Sequence, residues 1–144
     1  MDNMRYVAAS LLTACAMLAG CSDAGNTMGH AEQIGAGYYQ ALKDKDFHKA
    51  ASFFLNRADA PQQQWLVQIQ EYNRKLGDLQ SYKLVDEAVN TVYSGTRYIL
   101  RYSTHYSKFP AMETLVLFEG VVNVGPGQAE GLGVENLFIQ SKGL

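Results

Sequence analysis

The apolar period of this chain changes once, near Leu79, and that change restricts the fold more than any single motif does. Before it, apolar residues recur at helical spacing. Ile34, Tyr38, Ala41 and Leu42 predict an amphipathic helix over residues 30–43, although Gly35 and Gly37 each cost about 1 kcal/mol against alanine. Asp44-Lys45-Asp46 ends that helix, and Asp46 is placed to cap a short second one whose face carries Phe47, Ala50, Ala51 and Phe54. After a loop over 56–60, Pro61 suits the first turn of a third helix. Trp65, Leu66, Ile69, Tyr72 and Leu76 form its stripe, and Gly77 offers a left-handed stop.

Beyond Leu79, β-branched and aromatic residues dominate, and four strands are expected at about 80–90, 95–107, 112–123 and 132–141. Ser94-Gly95 suits a tight hairpin, Phe109-Pro110 interrupts the second link and Gly125-Pro126-Gly127 makes the third. Short links between consecutive strands give an antiparallel meander. Helices followed by strands give an α+β fold, with the N-terminal helices packed on the concave side of a curved four-stranded antiparallel sheet.

The first 20 residues belong to a different class of segment. The apolar run from Val7 to Leu18 is too short for a hydrocarbon core, which needs about 20 residues, but suits the core of an export signal. It ends in Leu18-Ala19-Gly20-Cys21, which resembles the lipobox of bacterial lipoproteins. Met1 and Met4 both offer a start, and the second would place Arg5 next to it and remove Asp2. The resemblance implies cleavage before Cys21, a thioether-linked diacylglycerol on its sulfur and an acylated amino terminus. Two or more acyl chains, at about 0.8 kcal/mol per buried CH₂, hold a protein on a bilayer stably. Ser22 after the cysteine resembles the default outer-membrane sorting pattern, which implies a lipid-anchored protein on the periplasmic face. The small, polar residues up to Gly29 read as a tether reaching about 16 Å. The expected organisation is a signal peptide over 1–20, a lipidated tether over 21–29 and one domain over 30–144.

Cys15 lies in the cleaved segment and Cys21 carries the lipid, so no disulfide staples the domain, which rests on its apolar core. Cleavage removes one acid and one base, Asp2 and Arg5, and leaves the formal charge at −2. With acids and bases interspersed, nucleic acid is not an expected partner. No basic cluster follows the anchor, so the lipid alone supplies membrane attachment.

Tyr39-Gln40-Ala41-Leu42-Lys43-Asp44-Lys45-Asp46-Phe47-His48-Lys49-Ala50-Ala51-Ser52-Phe53-Phe54, followed by a long helix and a curved meander, resembles the NTF2-like or cystatin-like cone. The resemblance covers nearly all of the domain and lies in element order, not in a signature. It implies a sheet wrapped round a long helix, with a pocket at the open end that is an enzyme site in some members and a binding or dimer surface in others. Fold does not fix function.

A search for chemistry excludes more than it finds. His30, His48 and His105 are scattered, there is no H-E-x-x-H, and no mature thiol is left, so no metal or other cofactor is expected. No nucleophile elbow or phosphate loop is present. By period two, Tyr98, Leu100, Tyr102, Thr104 and Tyr106 share one face of the second strand, and Arg97 and Arg101 share the other, which is expected to be solvated. An open pocket would let Tyr98 or Tyr102 donate to a ligand oxygen while Asp86 acts as base, as in isomerase-type members of the family. Tyrosines in such numbers more commonly line cores and cross-strand pairs.

The leading expectation is a non-enzymatic, lipid-anchored periplasmic binding module that contacts an envelope protein or neutralises a toxin, with a homodimer through an exposed strand as a further option. The alternatives are a carrier or sensor for a small apolar ligand, and an isomerase-like enzyme working in the cone. A closed core favours protein binding, whereas an open apolar cavity favours a carrier.

Overall fold

A computed structural model describes the backbone of residues 23–123 and 128–144, with side chains described over 28–121 and 131–144. Cys21, the lipobox and the export signal lie outside the described residues, as does Gly125-Pro126-Gly127 in the third link.

Three helices precede a four-stranded meander: α1 (Asp23–Lys43), α2 (Phe47–Ser52), α3 (Gln62–Leu76), β1 (Leu79–Val92), β2 (Gly95–Tyr106), β3 (Pro110–Asn123) and β4 (Gln128–Gln140). The sheet is antiparallel in the order β1-β2-β3-β4, and the helices cover one face of it. This is the α+β arrangement that the change of period implied.

α1 begins seven residues earlier than the sequence pattern suggested, so the segment read as an irregular tether is helical from Asp23. Extending a helix that its packed half has already nucleated adds one hydrogen bond per residue. Ala31, Tyr38, Tyr39, Ala41 and Leu42 form its buried stripe. The two glycines lie where other groups press in. A Cβ at Gly35 would collide with the Tyr102 hydroxyl, and one at Gly37 would lie 2.7 Å from the Phe53 ring. Lys45 turns the chain with φ 59°, and the Asp46 carboxylate caps α2 by accepting from the Lys49 N–H at 3.0 Å.

Pro61 precedes α3 as its N-cap rather than sitting in its first turn, so it supplies no side-chain cap. Asn56 Oδ1 takes that role, accepting from the Gln62 N–H at 3.3 Å. Trp65, Leu66, Ile69 and Leu76 are buried, and Trp65 stacks on Phe54 at 4.4 Å. Gly77, at φ 88°, ends the helix with its N–H on the Asn73 carbonyl.

Three register shifts shape the sheet. In β1, Gln80 is an extra residue between the pairs Leu79↔Tyr106 and Ser81↔His105, and Val85 is another between Leu84↔Tyr102 and Asp86↔Arg101. Glu135 is extra in β4, between Val134↔Leu117 and Asn136↔Val116. The outer edge of β4 does not stand open at its middle, because Phe53–Leu55 runs parallel to it. Leu55 N–H donates to Val134 O at 2.8 Å, and Val134 N–H to Phe53 O at 2.9 Å. The core lies between that sheet and the helices, with Phe54, Leu100, Leu115, Leu117 and Val134 among its most enclosed side chains.

Candidate functional site in and around the cone

Tyr98, Leu100, Tyr102, Thr104 and Tyr106 all point into the concave side and are buried, as their shared parity required. β3 sets Glu113 directly opposite Tyr102, on the same inward face. This carboxyl is fully enclosed, and three hydroxyls converge on it. Tyr39 Oη donates to Oε2 at 3.0 Å, Thr104 Oγ1 to Oε1 at 2.9 Å and Tyr106 Oη to Oε1 at 2.6 Å. Burial pushes the Glu113 pKa up, and the three hydroxyls offset that only in part. Burial, reinforced by the adjacent Glu113, likewise pushes Tyr38, Tyr39 and Tyr106 up, so all three stay protonated. Beside this cluster a cavity of about 10 Å³ lies among Tyr38, Leu42, Ile69, Tyr72, Asn73 and Tyr106. That is room for one water and not for a substrate.

Nearer the mouth, Tyr98 Oη donates to Glu119 Oε2 at 2.8 Å. The Tyr102 ring lies 4.4 Å from that of Tyr39 and 6.4 Å from that of Tyr82. Its hydroxyl rests over Gly35, and burial with the nearby Glu32 raises its pKa to about 12. Glu32 of α1 meets Glu87 of β1. Partial desolvation first, and then the Glu87 carboxylate beside it, raise the Glu32 pKa.

Asp86 is not part of this group. The bulge at Val85 sets it opposite Arg101, on the outward face, where it is exposed and accepts from the Glu87 N–H at 3.0 Å. The structure therefore brings Tyr98 and Tyr102 onto one face and leaves Asp86 on the other; Glu87, paired with Leu100, takes the inward position. Period reading missed Glu32, Glu87 and Glu113. Only Glu113 left a signal, as an acid in the otherwise apolar series Ala111, Leu115, Leu117.

On the convex side Arg101 is exposed as expected, but Arg97 is not simply solvated. It grips Glu135 through Nε at 2.8 Å and Nη2 at 3.2 Å, and its guanidinium lies 5.2 Å from the centre of the Phe118 ring. Arg57 donates to the same carboxylate at 3.0 Å and holds Asp59 bidentately at 3.0 and 2.7 Å. Two guanidinium groups thus face two carboxylates around a cleft of about 400 Å³ that also includes Ser94 and Val121. The cluster fastens the loop after α2 to the bulge in β4. His30, His48 and His105 are exposed, and among the described residues no three of His, Cys, Asp and Glu gather where a metal ion would be held. No helix among the described residues is long and apolar enough to cross a membrane.

No protein-family model and no curated protein matches the chain. Solved structures do. A protein of Catenulispora acidiphila superposes with a TM-score of 0.56 at 12% identity, over 83% of this chain and 94% of its own. A Novosphingobium aromaticivorans protein that carries the provisional name scytalone dehydratase superposes with a TM-score of 0.51 at 12% identity, over 85% and 89%. At such identity the likeness is one of fold alone: helices packed on a curved four-stranded antiparallel sheet.

Proposed function

We propose that this chain is a non-enzymatic binding module of the bacterial envelope, anchored through a lipid on Cys21 to the periplasmic face of the outer membrane and recognising an envelope protein or a toxin. Leu18-Ala19-Gly20-Cys21-Ser22 supports the anchor. The observation that carries the binding reading is the inner end of the cone. Glu113, the only fully buried acid among the described residues, is enclosed by three hydroxyls, and the adjoining cavity admits one water. A catalytic acid or base has to reach the proton it transfers. Asp86, the residue suited by type to act as base, faces away from Tyr98 and Tyr102. At the inner end of the cone the cavity of about 10 Å³ is far below the several hundred Å³ that a carrier's chamber needs.

Photo-crosslinking in intact envelopes, with the native chain and with Cys21→Ala, tests the proposal. A defined protein crosslink that needs Cys21, with a diacylglyceryl mass on that residue, is the expected result. A free Cys21 thiol, or a small molecule carried in stoichiometric amount with no protein crosslinked, overturns it.

A further inference from the structure

The mouth of the cone contains a polar group that its own fold leaves unused. The Tyr102 side chain is only 3% exposed, yet among the described residues its hydroxyl has no hydrogen-bond partner. Among the described residues no enclosed side-chain oxygen or nitrogen goes without a partner, so this oxygen is the part of Tyr102 that reaches water. It emerges over Gly35, one helical turn from Glu32 on the same face of α1. Glu87, opposite Leu100, approaches Glu32 from β1. Two carboxyls and a phenol oxygen thus lie at the same end of the cone, between α1 and β1.

We propose that Glu32, Glu87 and Tyr102 form a binding site for an organic ammonium group. Neighbouring carboxylates repel one another, and a cation seated between them relieves that repulsion. An alkylammonium offers three N–H donors on a compact charge, one for each of the three oxygens. The half-buried Tyr82 ring, 6.4 Å from that of Tyr102, adds aromatic surface of the kind that attracts such a cation. An anion meets two acids here. Calcium requires six to eight oxygens, and this site supplies fewer. Glu87 is exposed, which leaves the site open to a lysine side chain of a partner protein or to a free amine. The inference deepens the binding reading and rests on it for the claim that recognition takes place at the mouth.

The test uses the mature chain in detergent, titrated calorimetrically with n-butylammonium and with an Nα-acetyl-lysine amide, and n-butanol as the uncharged control. Saturable binding of at least one amine at millimolar concentration is expected, with none for butanol. Glu32→Gln and Glu87→Gln should each weaken it roughly tenfold or more, and Tyr102→Phe by a smaller factor, with folding checked by thermal melting. Tighter binding of the lysine amide assigns the site to a partner's side chain; tighter binding of butylammonium assigns it to a free amine. No saturable binding of either amine, or binding that all three variants leave unchanged, overturns the site. Neither of those results touches the Cys21-dependent crosslink, so failure here is distinct from failure of the envelope reading.

Discussion

Replacing Glu113 with glutamine distinguishes two ways of wiring the inner end of the cone. Thr104 Oγ1 lies 2.9 Å from Glu113 Oε1 and 3.2 Å from the Ala111 carbonyl, and both tyrosine hydroxyls also reach the carboxyl. Four oxygen–oxygen contacts share three hydroxyl protons. The proton of a neutral Glu113 would supply the fourth, in which case Thr104 turns its own hydroxyl proton to the Ala111 carbonyl instead of to Oε1. The direction of the Glu113 pKa shift agrees. A folded-state pKa raised by burial gives stability that is fully present below about pH 4.5, the ordinary glutamate value, and is lost as pH rises through the folded value. While the folded acid keeps its proton and the unfolded one has lost it, the slope is about 1.4 kcal/mol per pH unit. Glutamine keeps the shape and the donor but does not ionise. Urea unfolding, followed by the fluorescence of Trp65, the single tryptophan, should show E113Q gaining on the native protein as pH rises above the ordinary glutamate value. A difference that is flat with pH, or a native protein that gains on E113Q as pH rises, would mean an ionised carboxylate held by three donors, and would refute the proton count. Glu113→Ala strands three hydroxyls over a void and should cost about 3 kcal/mol or more at any pH.

Gly35→Ala improves helix propensity by about 1 kcal/mol but drives its methyl into the Tyr102 hydroxyl, so a net loss of about 1–2 kcal/mol is expected in thermal melts. Glu135→Ala leaves the Arg57 and Arg97 guanidinium groups facing each other in a half-buried cleft; a loss of about 1–2 kcal/mol, with faster amide exchange at Leu55 and Val134, is expected. Asp46→Ala removes the cap of a six-residue helix and should cost about 1 kcal/mol by urea unfolding, with no change in the Tyr102 environment.

What the residues alone revealed, and what they hid, follows from how far each signal reaches along the chain. The helical stripe ending at Leu76, the Gly77 stop and the inward parity of Tyr98 to Tyr106 are local patterns repeated over several residues, and the chain folds as they imply. The early start of α1 was not legible. Gly25, Asn26 and Thr27 are poor helix formers on their own, and their helix depends on packing of the turns that follow. Arg97 had no visible partner either, because Glu135 lies 38 residues away and faces it only through a bulge.

The bulge at Val85 decides which acid belongs to the cone. In an unbroken strand, inward Tyr82 and Leu84 are followed by Asp86, the residue that period two selects as a neighbour of the tyrosines. One extra residue moves every later side chain of β1 to the other face, so Glu87 turns in beside Glu32 and Asp86 turns out beside Arg101. Nothing in Leu84-Val85-Asp86-Glu87 marks the slip, since valine suits a regular strand as well as a bulged one. The slip shows only in the pairing with β2, which sets Asp86 opposite Arg101 and Glu87 opposite Leu100. The chemistry of the mouth therefore depends on a register choice made by the sheet as a whole, which is why the residues proposed to hold an ammonium group are not the ones that the strand pattern singled out.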